Sequence, residues 1–117
     1  MTPLIGLMGA AGVALAAVAA HGAPGAGLDS AAYLLLFHAA AIVGGAALLD
    51  RDLLWRPALL AALCGWVIGA LLFSGDVSLR ALAGTRLFPM AAPTGGSILI
   101  LAWLALSIAG LGVLFKR

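Results

Sequence analysis

The sequence has very little charge. Its 117 residues include six basic and four acidic residues, so that 9% are charged, whereas an ordinary soluble domain has about 25%. Hydrophobic residues make up 65% of the chain, and the mean hydropathy is +1.23. So few charged side chains do not cover the surface of a water-soluble fold. The composition therefore excludes a soluble globular domain and predicts a polytopic membrane protein surrounded by the lipid bilayer.

Other absences limit the chemistry of the chain. There is no glutamate, which excludes acid–base catalysis by paired glutamates, and Cys64 is the only cysteine, which excludes an intrachain disulfide and a multi-cysteine metal site. The GxxxxGK(S/T) and HExxH motifs are missing, which argues against a nucleotide-dependent or zinc-protease function. The basic residues are dispersed, which argues against a nucleic-acid partner. We therefore expect no catalytic residues, no metal site, no cofactor and no enzymatic activity.

Four uncharged runs are long enough to cross the membrane as helices. A helix needs about 20 mostly apolar residues to cross about 30 Å of hydrocarbon, and such runs occupy residues 3–20, 30–49, 57–73 and 95–115. The chain is thus predicted to be a single all-α domain, a compact up-down bundle of four transmembrane helices. In the long connection before the fourth span, residues 77–83 predict a short interfacial helix.

The basic residues indicate how the bundle is oriented. Four spans place both termini, and the loop between spans two and three, on one side of the membrane. That side carries Arg51, Arg56, Lys116 and Arg117, and the other side carries Arg80 and Arg86. The positive-inside rule then predicts that both termini are cytoplasmic. Five arginines against one lysine indicate a GC-rich bacterial genome, and so the bacterial inner membrane.

Small residues mark candidate faces for helix packing. Gly65 and Gly69 lie four residues apart on the third span, and Gly6 begins a similar stripe with Ala10 and Ala14 on the first span. Such spacing places the small residues on one face of a helix, where a neighbouring backbone can approach closely. Two interpretations stay open, namely packing within the bundle and the seam of a homo-oligomer.

Polar residues near the hydrocarbon collect at one end of the predicted bundle. His38 lies inside the second span, and Trp66 and Trp103 fall near mid-span, where their indole N–H groups need partners. In an up-down bundle, the ends of spans one and three share a membrane face with the starts of spans two and four. The candidate polar pocket on that face comprises His21, His38, Ser74, Asp76 and Thr94. An unpaired buried imidazole is costly, so we expect His38 to point into this pocket towards His21, Ser74 and Thr94.

The polar cluster has three interpretations. In the first, a neutral His38 bonds to a backbone carbonyl or a hydroxyl, and Asp76 and Arg80 form an ordinary ion pair one helical turn apart. In the second, the pocket binds a small molecule, a lipid headgroup or a proton. In the third, His21 and His38 ligate a haem or a metal ion.

Three functional hypotheses correspond to these interpretations. The first is an accessory or scaffold protein that packs against another membrane protein, for which an apolar, lipid-facing groove would be the mark. The second is a conduit or binding protein for a small molecule, a lipid or a proton, which requires a wet cavity reaching His38. The third is a bis-histidine haem protein, which would show visible absorbance on purification.

Four segments, in matching order and spacing, resemble the motifs of a known family. They are residues 16–21 for its GAFGAH segment, 37–42 for YQxxH-x-LA, 69–75 for GxxLFSG, and 93–103 for TPxGG followed by GW. The chain is similar to domain-of-unknown-function family 423, whose eukaryotic relatives include the transmembrane-protein-256-like proteins. The resemblance implies a four-helix inner-membrane protein in which both histidines and the Ser74-Gly75 turn recur. It implies no particular activity.

The sequence departs from this family pattern at three places. Leu34 and Leu35 stand where the family has a Tyr-Gln pair, Asp76 stands in place of a serine, and Ala92 stands in place of a threonine. The first change removes the glutamine from which a hydrogen-bond network to His38 would have run.

Overall fold

All regular secondary structure in the described part of the chain is α-helical. The computed structural model describes residues 2–21 and 27–115, and in these ranges it has four helices: α1 (Thr2–His21), α2 (Leu28–Asp50), α3 (Arg56–Ala83) and α4 (Ala91–Phe115). Each of the four is long and apolar enough to cross a membrane. The prediction of an all-α protein with four apolar spans is therefore confirmed.

Local sequence explains where the helices begin and end. Pro57 occupies the first turn of α3, where its missing N–H would have had no helical partner. The same helix ends at Gly84, which adopts a left-handed conformation with φ 72° and donates its N–H to the Arg80 carbonyl. Gly27, with φ 85°, takes a similar conformation immediately before α2. Glycine adopts this conformation without the steric cost that a side chain imposes.

The short interfacial helix predicted between the third and fourth spans does not form as a separate element. α3 continues without a break through residues 77–83, so no separate interfacial helix lies there, and α4 already begins at Ala91. The helix continues through Gly75, and the Ser74 hydroxyl donates a hydrogen bond to the Ala31 carbonyl at 2.8 Å. The connection between α3 and α4 is consequently reduced to residues 84–90, all of them exposed.

Helices that follow each other in the chain pack together. α3 contacts both α2 and α4, whereas α1 packs mainly on α2. The main core cluster includes Met8 on α1, Leu35, Ala39 and Ile42 on α2, Leu59, Leu63, Trp66 and Ala70 on α3, and Leu99, Ala102 and Ala109 on α4. α3 is thus the central helix of the fold, and α1 is the most weakly attached.

Glycines Gly65 and Gly69 lie at the closest approach of α3 and α4. A Cβ atom added to Gly65 would lie 2.7 Å from the Ala102 Cβ, and one added to Gly69 would lie 2.8 Å from the Gly95 carbonyl oxygen. Both distances are shorter than van der Waals contact allows. At Gly69 the two helices therefore meet backbone to backbone, and at Gly65 the backbone of α3 packs against the Ala102 methyl group. These two glycines therefore act in packing within the chain.

Gly6 requires a correction, because it is not part of an intramolecular packing face. It is exposed, and an added Cβ would meet nothing within 4 Å in the described structure. α1 instead buries the face that carries Met8, Gly12 and Ala19. Gly12 makes the close contact with α2, because its added Cβ would lie 2.6 Å from Leu36 Cγ. The stripe that begins at Gly6 faces outwards.

Candidate functional site

His38 is held by two hydrogen bonds in the middle of the fold. It is only 4% exposed. Its Nε2 lies 3.1 Å from Trp103 Nε1, and its Nδ1 lies 2.7 Å from the Leu34 carbonyl oxygen. An indole N–H only donates, so Nε2 must accept, and the ring proton is on Nδ1, which donates to Leu34. The imidazole is therefore neutral and uses both ring nitrogens.

Two tryptophans extend this interaction into an aromatic cluster. The ring centroids of Trp66 and Trp103 are 4.6 Å apart, and those of His38 and Trp103 are 6.0 Å apart in an edge-on arrangement. Trp66 is 2% exposed, and its buried indole nitrogen has no hydrogen-bond partner among the described residues. The cluster joins three helices, because Trp103 of α4 contacts the ring of His38 on α2 and the ring of Trp66 on α3.

Asp76 and its neighbours form a second polar group at the end of α3. Asp76 is 2% exposed, and its Oδ1 accepts the backbone N–H of Leu87 at 3.0 Å. Its Oδ2 lies 3.5 Å from the Nε of Arg80, one helical turn further on. The ion pair expected between Asp76 and Arg80 is therefore present, and the same carboxylate also fastens the connection between α3 and α4.

The structure does not gather the predicted polar residues around His38. His38 bonds to Leu34 and Trp103, whereas the Ser74 hydroxyl donates to the Ala31 carbonyl. The other two expected neighbours of the ring, His21 and Thr94, are both exposed, the first at the end of α1 and the second in the first turn of α4. The polar residues thus form two separate groups, one around His38 and one around Asp76 in the later part of α3.

The residue that sequence reasoning failed to place in the site is Trp103. Its partner His38 is 65 residues away in the chain, so no local spacing connects them. A usable signal did exist, because an indole N–H in a membrane span needs an acceptor, and imidazole is one of the few side chains there that can accept.

Two open cavities accompany these polar groups. The first, which we call the apolar groove, has a volume of about 410 Å³ and is lined by Ala11, Ala14, Leu15 and Val18 of α1, Leu35 of α2, and Leu71, Ser74, Gly75 and Ser78 of α3. The second, which we call the basic cavity, has a volume of about 400 Å³ and is lined by Phe73, Asp76, Arg80, Arg86, Met90, Ala92, Pro93 and Gly96. Neither cavity is lined by His38.

The described residues offer little to a metal or a haem. No group of three or more His, Cys, Asp or Glu side chains that could hold a metal ion occurs in residues 2–21 and 27–115. Both nitrogens of His38 are already bonded, which leaves no free nitrogen for an axial ligand in this conformation. The bis-histidine interpretation therefore finds no support in the geometry.

Comparison with known families agrees with the pattern of motifs. The family described as Protein of unknown function (DUF423) matches residues 15–96, which is more than half of the chain. The chain belongs to DUF423. The matched range contains His38, Ser74 and Asp76 but ends before Trp103. No curated protein and no solved structure matches the chain.

In this DUF423 protein, the hydrogen bonds of His38 involve no side chain from positions 34 and 35. Leu34 and Leu35 occupy those two positions, and neither side chain can donate a hydrogen bond. The Leu34 backbone carbonyl still serves as the acceptor for Nδ1, and Trp103 supplies the donor for Nε2 from another helix. A backbone group and an indole thus complete the hydrogen bonding of the imidazole.

Proposed function

We propose that this DUF423 protein is an accessory membrane protein that packs laterally against a helix of another membrane protein. The observation that carries the proposal is the apolar groove between α1 and α3. Leu35 of α2 lies at its base, and small residues such as Ala14 and Gly75 line it on both sides. In lipid there is no hydrophobic driving force between helices, because the lipid chains are as apolar as the side chains. Helices associate instead where small residues let their backbones approach closely.

The dimensions of the groove favour a helix as its occupant. Its α1 wall runs from Ala11 to Val18, which corresponds to about 10 Å, or two turns of an occupying helix. α1 packs mainly on α2 and has few contacts with α3. Among the described residues, no further helix therefore covers the groove between α1 and α3. A partner helix could therefore enter laterally.

The same contacts argue against a proton conduit. A conduit needs titratable groups that are free to exchange a proton along a wet path. The two nitrogens of His38 are bonded to Leu34 and Trp103, and the Ser74 hydroxyl is bonded to Ala31. Each of these two side chains would have to break a hydrogen bond in order to transfer a proton.

The first test of this proposal is site-specific photo-crosslinking in native membranes. A photoreactive residue at Ala14 or at Leu71, on opposite walls of the groove, is expected to form an adduct with one membrane protein of discrete mass. The matched controls are Ile100 and Leu104, which are exposed apolar positions on α4 outside the groove. Adducts of the same kind and yield at the control positions, or a groove adduct with twice the mass of the chain, would contradict the proposal.

We also propose an up-down arrangement in the bacterial inner membrane with both termini in the cytoplasm. The up-down arrangement is supported by two contacts of the later part of α3, one between Ser74 and Ala31 near the start of α2 and one between Gly69 and Gly95 near the start of α4. The positive-inside rule assigns the side that carries more basic residues to the cytoplasm.

This orientation predicts the behaviour of reporter fusions. Green fluorescent protein fused after Arg117 is expected to fluoresce, and alkaline phosphatase fused at Gly84 is expected to be active, because this enzyme requires export. The reciprocal fusions serve as controls and should be inactive. Active phosphatase after Arg117 would reverse the orientation.

A further inference from the structure

The basic cavity contains more positive than negative charge. Arg80 and Arg86 both line it, and Asp76 is the one acidic residue among its lining residues. Asp76 is engaged with the Nε of Arg80 at 3.5 Å and with the backbone N–H of Leu87 at 3.0 Å. Arg86 forms no ion pair within the described ranges of the chain. The cavity therefore has one uncompensated positive charge.

Asp76 also organises the two arginines. Its Oδ2 holds Arg80 on α3, and its Oδ1 holds Leu87, the residue directly after Arg86, on the connection to α4. A buried carboxylate with two such bonds restricts both segments. The two arginines therefore line one cavity from two different segments of the chain.

The start of α4 adds to the positive potential. α4 begins at Ala91 beside the cavity, and Pro93 and Gly96 of its first two turns line it. The first turn of α4 contains no acidic residue. The N-terminus of a helix carries a partial positive charge, which favours an anion in front of it.

The depth of the cavity matches the phosphate layer of a bilayer. Arg80 lies about 36 Å from Arg56 along α3, at 1.5 Å per residue, whereas the hydrocarbon is about 30 Å thick. With Arg56 at one surface, Arg80 therefore lies beyond the hydrocarbon at the other. The apolar part of the lining, with Phe73 on α3, is about two turns closer to the membrane centre than Arg80.

We infer that the basic cavity binds the phosphate of an anionic phospholipid through Arg80 and Arg86. Guanidinium groups match phosphate oxygens in charge and in hydrogen-bond geometry. A free phosphate ion presents the same chemistry, but the apolar lining at Phe73 and Met90 and the depth of the site favour the lipid. This site lies apart from the apolar groove, so the inference does not depend on the proposed accessory function.

The experiment measures which lipids the protein retains. The full chain is incorporated into nanodiscs of equal parts phosphatidylglycerol and phosphatidylcholine, released into mild detergent, and examined by native mass spectrometry. We expect bound phosphatidylglycerol to exceed bound phosphatidylcholine. Arg86→Gln should reduce this preference about fivefold, the effect of one basic residue at an anionic membrane surface. Arg86→Lys should reduce it less than Arg86→Gln, because lysine keeps the positive charge but loses the planar guanidinium group.

The control variant is Arg56→Gln, which removes a basic residue at the opposite end of the same helix. It should leave the preference unchanged, and the thermal unfolding of all three variants should match that of the unaltered protein. An equal loss in Arg56→Gln and Arg86→Gln would overturn the inference, because it would show a general effect of surface charge. Displacement of phosphatidylglycerol by excess inorganic phosphate would overturn the lipid assignment in favour of a soluble anion. Equal retention of phosphatidylglycerol and phosphatidylcholine by the unaltered protein would also overturn the inference.

Discussion

Gly95→Ala should lower the free energy of unfolding by about 2–3 kcal/mol, the upper part of the range for overpacked sites. An added Cβ would lie 2.7 Å from the Phe73 backbone nitrogen and 2.8 Å from the Gly69 carbonyl oxygen. These are backbone atoms of the central helix, so they cannot move aside as the end of a flexible side chain can. The two helices would have to separate, and the packing of Leu99 and Ala102 in the core would be lost with them.

The neighbouring glycine provides the matched control. Gly96 has nothing within 4 Å of an added Cβ, and alanine is favoured over glycine in a helix by up to about 1 kcal/mol. Gly96→Ala should therefore leave stability unchanged or raise it. Unfolding in mixed bicelles, followed by circular dichroism, measures both variants. Equal effects of the two substitutions would show that α3 and α4 do not meet backbone to backbone at Gly95.

The bond between His38 and Trp103 should appear as an energetic coupling between the two residues. Trp103→Phe leaves the Nε2 acceptor of His38 without a donor, and His38→Leu leaves the indole N–H without an acceptor. Each single substitution should lower the free energy of unfolding by about 1–2 kcal/mol, because each strands a polar group in an apolar environment. The double variant should be less destabilised than the sum of the two, with a coupling of about 0.6–1.7 kcal/mol.

Trp55→Phe is the control for the loss of an indole. Trp55 is 39% exposed and Trp103 is 42% exposed, so the two substitutions remove similar rings from similarly accessible positions. Trp55 directly precedes α3, and its indole nitrogen donates no hydrogen bond to another residue in the described ranges. Its substitution should cost little. Additive effects of Trp103→Phe and His38→Leu would mean that the bond contributes nothing to stability.

The four spans could be predicted from sequence because the bilayer imposes a simple rule on composition. A segment that crosses hydrocarbon must be long, helical and apolar, and each of the four runs meets that rule. The end of α3 could not be predicted in the same way. The sequence becomes less apolar after Phe73, but the helix continues. Its polar side chains are paired there, because Ser74 donates to the Ala31 carbonyl and Asp76 forms an ion pair with Arg80. Those partners become visible only in three dimensions.

The packing faces and the site were predictable only in part, for a related reason. Small residues at four-residue spacing define a helix face but do not indicate what lies opposite. Gly65 and Gly69 meet α4, whereas Gly6 meets nothing in the described structure, although the two stripes look alike in sequence. In the same way, the burial of a histidine could be anticipated, but its pairing with Trp103 depends on how α2 and α4 are brought together across α3.

The length of α3 has a consequence for the membranes in which this protein can reside. Arg56 and the buried Asp76 lie on one helix, about 30 Å apart, so the apolar height of the molecule is set by a single rigid element. A thinner bilayer can be accommodated by tilting that helix. Tilting does not help in a thicker bilayer, because it shortens the span further. The lipid must then thin around the molecule, or the Arg56 side chain must extend to the surface. The response to mismatch is therefore asymmetric: the helix adjusts in a thin membrane, whereas the lipid and the flanking side chains must adjust in a thick one.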